Sequence, residues 1–262
     1  MRREHMSDDV VILEKSGPVA TVTLNRPDKM NSFDGALRAA MRHTVAAIED
    51  DASIRIVVLK GAGRCFSAGA DLSAAPTGPR GFHLDTEYKP FLTAITQSDK
   101  IWIAQVHNAC AGIGAALAMC CDLMVMSEDA YIYMAFAAIA LVPDGGNTQL
   151  LLNAMGYRRA LQACLEGRKI PAAECADYGI ANKVVATDDI DTATRAWAEQ
   201  LAGGGPLAMA ATKRLMRSVG SISYGDVISA EGREQAPLLN SADFQEGVRA
   251  FFAKEKPNFK GA

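Results

Sequence analysis

Asp144 is the residue of this chain whose type and surroundings best suit acid–base chemistry. It lies in a Pro-Asp-Gly-Gly turn at 143–146, where the backbone can approach a ligand closely. The surrounding stretch 101–149 is almost free of charge and must lie in the core, where burial would raise the pKa of a carboxyl group and improve it as a base. The alternative is structural: Asp144 caps the helix that begins near Thr148, or orders the turn.

Two blocks of small residues, FSAGADL at 66–72 and AGIGAALA at 111–118, could supply backbone hydrogen-bond donors to a ligand. In such turns few side chains obstruct the backbone N–H groups, which can donate to a ligand oxygen. A helix that begins at Ile113 would add the positive end of its dipole. Either block could instead be only a tight turn in a packed core. The glycine pairs 61/63 and 112/114 lack the third glycine and the acidic partner of a dinucleotide site, which excludes that class.

The composition is that of a globular protein without an electrostatic affinity for nucleic acid. The 262 residues are 49% hydrophobic and 22% charged, with a net charge of -3, and they contain no basic tract. The N-terminus is charged, without the apolar stretch of a secretory signal, and no unbroken apolar run reaches about 18 residues. We therefore expect a cytoplasmic protein without a membrane span. The six cysteines and four histidines show no metal-ligand spacing, so we expect packed, reduced cysteines and no metal site.

Hydrophobic periodicity predicts alternating strands and helices, and therefore a layered α/β fold. Strands are predicted as a hairpin within 10–25 and at 54–59, 101–106, 122–127, 130–134 and 184–185. Helices are predicted at 34–50, 90–98, 113–121, 147–156, 158–166 and 190–201, with another starting at 171. Residues 74–88, rich in Pro, Gly and charge, predict a mobile loop that either covers a site or is a plain surface excursion. A break at 203–206 precedes a helical pattern, which divides the chain into a core, 1–202, and a C-terminal helical subdomain, 203–262.

Five segments occur in an order shared with a known family. They are Asn25-Arg26-Pro27 with Asn31-Ser32, the two small-residue blocks, LVPDGGNT at 141–148 and SADFQEGVRAFFAKEKPNF at 241–259. By these segments the chain resembles the crotonase superfamily, the enoyl-CoA hydratase/isomerase family, over nearly its whole length. MAF at 134–136, the PDGG turn and the tail are most similar to the isomerase branch that includes the ring-epoxide isomerases of phenylacetyl-CoA degradation.

The resemblance implies a fold, an assembly and a substrate class. The fold is the crotonase (ClpP-like) spiral of repeated ββα units with a C-terminal helical subdomain that forms trimers, or pairs of stacked trimers. The substrate is an acyl-CoA thioester, so coenzyme A is part of the substrate and no cofactor is bound permanently.

Individual residues also receive roles from the resemblance. The backbone N–H groups of Ala70 and Ile113 would hold the thioester oxygen, although the family usually has glycine where this chain has Ile113. The residues expected to contact the CoA thioester are Arg26, Lys29, Ala68, Ala70, Asp71 and Leu72, joined by Phe251 and Lys254 from a neighbouring subunit. The charged residues among them could equally be surface charges, and Asp71 could be an N-cap.

The acidic positions decide which reaction the resemblance favours. Hydratases of the family use two glutamates, and the corresponding positions here hold Ala116 and Phe136, which cannot transfer a proton. Asp144 stands where several isomerases of the superfamily carry their single acidic residue. The expected activity is isomerisation of a 3-enoyl-CoA or of a ring-epoxide CoA thioester. Enoyl-CoA hydration, thioester hydrolysis and an inert acyl-CoA-binding protein are the alternatives.

Overall fold

The computed structural model describes residues 9–74 and 83–262. Within these ranges the chain forms two β-sheets and ten α-helices. The strands are β1 (Val11–Ser16), β2 (Val19–Leu24), β3 (Ile56–Gly61), β4 (Ile101–Val106), β5 (Ala109–Ala111), β6 (Leu123–Ser127), β7 (Tyr131–Tyr133), β8 (Lys169–Pro171) and β9 (Lys183–Val185). The helices are α1 (Gly35–Glu49), α2 (Lys89–Gln97), α3 (Ile113–Cys120), α4 (Asn147–Met155), α5 (Tyr157–Glu166), α6 (Ala172–Asp177), α7 (Ile190–Ala202), α8 (Pro206–Ser218), α9 (Tyr224–Leu238) and α10 (Ala242–Ala253).

The larger sheet has the strand order β1-β2-β3-β4-β6-β9. β1 and β2 form the predicted antiparallel hairpin, and the other neighbours run parallel. Because successive side chains of a strand point to opposite faces, β3 contributes to two cores. Val57 and Leu59 belong to the large core that also holds side chains of α1, α2 and α3. Ile56 and Val58 pack in a smaller core with α7.

A smaller sheet, β5-β7-β8, gives the chain its repeating path. The segments β4–β5–α3 and β6–β7–α4 each place one strand in the large sheet and the next in the small sheet, and then a helix. After β3, Ser67 forms a parallel bridge with Cys110 of β5, so the segment from β3 to Ser67 also passes from the large sheet to the small one. The predicted α/β class and its repeated units are confirmed.

Two parts of the sequence-based assignment need correction. The strands β5 and β8, of three residues each, were not predicted. The loop predicted over 74–88 is wrong for Leu84–Tyr88, which form a π-helical turn that continues directly into α2. Residues 75–82 of that predicted loop lie outside the described residues.

The C-terminal helices differ in how they meet the core. α8 packs on it: the Lys213 ammonium donates to the carbonyls of Ile95 and Lys100 at 3.0 and 2.8 Å and pairs with Asp122 at 2.8 Å. α9 buries none of its residues. Within the described ranges, none of the helices combines the length and apolar character needed to cross a membrane. The division of the chain at residue 203 stays a prediction.

Candidate active site

The two small-residue blocks meet just beyond the C-terminal ends of the neighbouring parallel strands β3 and β4. The Ser67 N–H donates to the Ala109 carbonyl at 3.1 Å, and the Ala111 N–H donates back to the Ser67 carbonyl at 2.9 Å. In parallel sheets, ligands bind beyond the carboxyl ends of the strands. The blocks are therefore held together by backbone hydrogen bonds at the edge where a site is expected.

Gly69 and Gly112 form the closest approach between the blocks. Both have positive φ, 94° and 54°, which favours glycine. A Cβ atom on Gly69 would lie 2.8 Å from the Ala111 carbonyl oxygen, and one on Gly112 would lie 3.8 Å from the Gly69 Cα. This contact brings the two following residues, Ala70 and Ile113, close together, as the oxyanion-site prediction requires.

The N–H groups of Ala70 and Ile113 have no protein acceptor among the described residues. By contrast, the N–H groups of their neighbours Gly69, Asp71 and Gly112 all donate within the chain. Ile113 is the first residue of α3, where the helix dipole favours negative charge. Two free donors beside one helix N-terminus can stabilise a developing oxyanion.

The turn that carries Asp144 packs against the start of α3. At Gly145, φ is 64°, and a Cβ atom there would lie 2.7 Å from the Ala116 Cβ, 3.7 Å from the Leu92 Cδ1 and closer still to the Ile113 Cδ1. The isoleucine at position 113 is therefore accommodated because Gly145 has no side chain. This packing also places the carboxyl-bearing turn beside the residue that supplies one of the free N–H groups.

The environment of Asp144 suits a base. Burial raises the pKa of Asp144 to about 6, and its Oδ1 atom is buried without a hydrogen-bond partner among the described residues. α4 receives no side-chain cap at its N-terminus, so the carboxylate does not have the capping role considered as the alternative. The backbone carbonyl of Asp144 does order the turn, by accepting from the Asn147 N–H at 3.1 Å.

The two positions that would hold a hydratase's glutamates also adjoin this site. Ala116 is fully buried on α3 beneath Gly145. The Phe136 ring reaches within 3.7 Å of the place where a Cβ on Gly112 would lie. Both side chains are apolar and cannot supply a second carboxylate to the site.

Asn147 is a site residue that the sequence reading missed. Its side-chain amide, fully buried, donates to the Gly112 carbonyl at 2.9 Å and to the Asp144 carbonyl at 3.0 Å. It thus joins the turn that carries the carboxyl group to the peptide that carries the Ile113 N–H. Its position after two glycines gave no signal, because the contact to Gly112 spans 35 residues of sequence.

Arg26 has intrachain partners that its predicted role did not anticipate. Its guanidinium donates to the Ser32 carbonyl and pairs with Asp34 at 2.9 Å and with Asp71 at 3.3 Å. Asp71 also accepts from the N–H and hydroxyl of Ser73, and these hydrogen bonds, with Arg26, lower its pKa. Arg26 and Asp71 therefore fix the segment that follows Ala70, and direct binding of coenzyme A by either stays a prediction.

The remaining predicted binding residues are distributed around the surface. Lys29 is exposed close to Arg26, and Leu72 is 73% exposed two residues after Ala70. The Ala68 N–H is occupied by the Met30 carbonyl at 2.9 Å, so that group is not available to a ligand. Phe251, 78% exposed, and Lys254 lie at the end of α10. Their contact with a neighbouring subunit's substrate stays a prediction.

Known proteins resemble this chain along almost all of its length. The family model described as "Enoyl-CoA hydratase/isomerase" matches residues 14–262. A "Probable enoyl-CoA hydratase" of Rhodobacter capsulatus is 38% identical, over 98% of this chain and 100% of that protein. The "1,2-epoxyphenylacetyl-CoA isomerase" of Escherichia coli K12 is 33% identical, over 93% of this chain and 95% of that protein. The crystal structure of an enoyl-CoA hydratase from Polaromonas sp. JS666 aligns with a TM-score of 0.90 and 27% identity, over 95% and 99% of the two chains.

Proposed function

This chain belongs to the enoyl-CoA hydratase/isomerase family of the crotonase superfamily, and we propose that within it the chain is an acyl-CoA isomerase. The observation that carries the proposal is the desolvated carboxyl group of Asp144, in a turn that packs beside Ile113, together with two backbone N–H groups, of Ala70 and Ile113, that have no acceptor among the described residues. Ala116 and Phe136 occupy the positions at which a hydratase of the family would carry its two glutamates for water addition. One base that both removes and returns a proton suffices for isomerisation.

The proposed reaction on a 3-enoyl-CoA has two proton transfers. The thioester oxygen accepts hydrogen bonds from the N–H groups of Ala70 and Ile113, each worth roughly 3 kcal/mol in the transition state. Asp144 takes a proton from the carbon next to the carbonyl, and the electron pair of that C–H bond forms the enolate. The protonated Asp144 then returns the proton two carbons further along the conjugated chain, and the double bond ends next to the carbonyl.

The raised pKa of Asp144 supports both transfers. A carboxyl group with a pKa of about 6 is largely ionised at neutral pH, and is a stronger base than an exposed aspartate. After it has accepted the proton, the same burial keeps the neutral form stable enough to act as the acid. The side chains of Ile113, Ala116 and Leu92 make the surroundings of the adjacent Gly145 apolar.

Enoyl-CoA hydration is the second candidate, favoured by the name of the Rhodobacter relative. It requires a group other than Ala116 or Phe136 to activate water.

In either reaction we propose that coenzyme A enters as part of the substrate and that no cofactor stays bound. The 1,2-epoxyphenylacetyl-CoA isomerase of Escherichia coli supports a ring-epoxide thioester as the alternative substrate of an isomerase.

We also propose that the chain assembles as a trimer or a dimer of trimers through its C-terminal helices. The support is the number of large apolar side chains that α9 and α10 leave open: Tyr224, Ile228, Phe244, Phe251 and Phe252 are 45–82% exposed. Sedimentation equilibrium tests the assembly, and a monomer at micromolar concentration would contradict it.

The function is tested by following the conjugated product of 3-hexenoyl-CoA with the wild type and with Asp144→Asn. Hydration of 2-hexenoyl-CoA is measured in parallel, and the exposed Asp188→Asn serves as the matched control. We expect isomerisation to fall by about 100-fold or more only in Asp144→Asn. Hydration by the wild type that survives this substitution would contradict the proposal, as would inactivity toward both 3-hexenoyl-CoA and a ring-epoxide CoA thioester.

A further inference from the structure

We propose that the hydroxyl group of Tyr88 is a hydrogen-bond donor to the acyl group, and that this enzyme's substrates carry a neutral oxygen atom in that group. The relevant class includes cyclic ethers, epoxides and alcohols attached to the acyl-CoA. This inference rests on the proposed function only in taking an acyl-CoA thioester as the ligand of the site.

Tyr88 lies between the two halves of the candidate active site. On one side, its ring packs against Phe33 with the ring centroids 6.0 Å apart, and the Phe33 carbonyl accepts from the Asp71 N–H directly after Ala70. On the other side, Leu92 is four residues further along the helical segment and so shares the face of Tyr88. Leu92 reaches the turn at Gly145, with its Cδ1 3.7 Å from the place of a Cβ there.

The hydroxyl group is buried, and the described part of the chain offers no acceptor for its proton. Tyr88 is 2% exposed, and its hydroxyl oxygen forms no hydrogen bond of good geometry among the described residues. The Arg38 guanidinium carbon lies 5.5 Å from the centroid of the Tyr88 ring, and an arginine can only donate to the hydroxyl oxygen, so it cannot accept the hydroxyl proton. A buried donor left unsatisfied in this way is costly, so an acceptor brought by a ligand would be bound favourably.

The charges around the hydroxyl group define what it can bind. Burial, and to a lesser degree the charges of Asp144 and Glu87, raise the pKa of Tyr88 to about 12, so the phenol stays protonated at neutral pH. The Arg38 charge is already paired with Glu87. Asp144 and Glu87 would repel an acyl group that carried a carboxylate. A neutral oxygen atom is therefore the acceptor that these surroundings favour.

The local backbone supports a functional use of this position. Tyr88 is the last residue of the π-helical turn Leu84–Tyr88 that precedes α2. Single π-helical turns are rare and occur frequently at functional sites. Tyr88 is also within electrostatic reach of Asp144.

The inference is tested with inert thioesters, so that binding is measured apart from turnover. Cyclohexylacetyl-CoA and its two tetrahydropyranyl analogues whose ring oxygen is not bonded to the substituted ring carbon are titrated calorimetrically into the wild type, Tyr88→Phe and Tyr178→Phe. Tyr178 is the matched control, because its hydroxyl donates to Glu174 at 3.3 Å away from the site. We expect at least one ether analogue to bind the wild type about 5- to 10-fold more tightly than the carbocycle. Only Tyr88→Phe should abolish this preference.

A wild type that prefers no ether analogue would overturn the inference, and so would a preference that persists in Tyr88→Phe. Should Tyr88→Phe fold poorly, as a melting curve would show, the wild-type ratio alone keeps the inference open to refutation. The proposed function fails separately: a wild type inactive toward 3-enoyl and ring-epoxide thioesters would refute the isomerase, and leave the ligand preference as a measured property of the site.

Discussion

The side-chain amide of Asn147 donates to the carbonyl oxygen of Gly112 at 2.9 Å. This carbonyl belongs to the same planar peptide group as the Ile113 N–H, so whatever orients one orients the other. The second hydrogen of the amide goes to the Asp144 carbonyl at 3.0 Å. One buried side chain therefore sets the relative position of a proposed oxyanion donor and the proposed base.

Asn147→Asp should lower kcat by about 10-fold or more while changing KM by less than about 3-fold. The substitution keeps the shape of the side chain but places a carboxylate oxygen where the amide donates to two carbonyl oxygens, and the repulsion displaces the turn. Steady-state kinetics with 3-hexenoyl-CoA measure the effect. Asn153→Asp adds the same charge at an exposed position of α4 and is the control. An equal loss of kcat in Asn147→Asp and Asn153→Asp would show that the added charge on α4, and not the lost contact to Gly112, lowers kcat.

The pH dependence of kcat/KM should follow the ionisation of Asp144. Because burial raises its pKa to about 6, the base is ionised above this pH and protonated below it. We expect kcat/KM to reach a plateau above pH 7 and to fall about tenfold per pH unit below pH 6. A profile measured from pH 4.5 to 8 that stays flat down to pH 5 would exclude a base with this pKa.

Asp144→Asn should stabilise the fold at neutral pH while it inactivates the enzyme. The folded-state pKa of about 6 exceeds the ordinary value of 3.8, so between these values the folded protein binds more protons than the unfolded chain. Its stability therefore falls as pH rises through this window, and the full cost, on the order of 1 to 3 kcal/mol, is present above it. Urea denaturation should show the variant to be more stable at pH 7 and the difference to shrink toward pH 4. A difference in unfolding free energy between the variant and the wild type that does not change with pH would contradict the ionisation of Asp144 as its cause.

Lys213→Met should lower the free energy of unfolding by about 2 to 4 kcal/mol. Its ammonium group is almost fully buried and is shared by Asp122 and the carbonyls of Ile95 and Lys100. Removal therefore takes this donor from the two carbonyls and leaves Asp122 with Arg217 and the Trp102 N–H. The neighbouring Arg214 pairs with Asp99 and Glu234 at the surface, and Arg214→Met should cost less than about 1 kcal/mol. Similar losses in the two variants, measured by urea denaturation, would contradict a special role for the buried ammonium.

The sequence predicts those parts of the fold that repeat a local pattern. The helix at 34–50 was placed within one residue at each end, since Leu37, Met41, Val45 and Ile48 recur on one face and are all buried. The hairpin of β1 and β2 followed from alternation and a Ser-Gly-Pro turn. Such patterns carry the information because each element must bury one face.

The sequence indicated a candidate site residue only where a local feature, a backbone turn or an uncharged segment, was enough to suggest its role. Asp144 stood out as a carboxyl group in an uncharged stretch, and burial does raise its pKa. The prediction that all of 101–149 lies in the core is wrong for Ile139, Leu141 and Val142, which are 46–75% exposed. Tyr88 and Asn147 did not, because their significance depends on partners distant in sequence: Arg38 for one and Gly112 for the other. The π-helical turn before α2 was equally hidden, since no residue pattern distinguishes it from a loop.

The proposed oxyanion donors belong to the main chain, and this decides how the site would look in a saturation-mutagenesis map. Ala70 has almost no side chain to lose, and the Ile113 N–H persists through every substitution except proline. Gly69 and Gly112, which present these donors, would instead tolerate little, because each has positive φ and Gly69 has no room for a Cβ. A map that ranks residues by sensitivity would thus highlight these supports, and at Ile113 it would report the loss of a buried side chain and not of the N–H group. Replacing the two amides by esters would test the donors themselves.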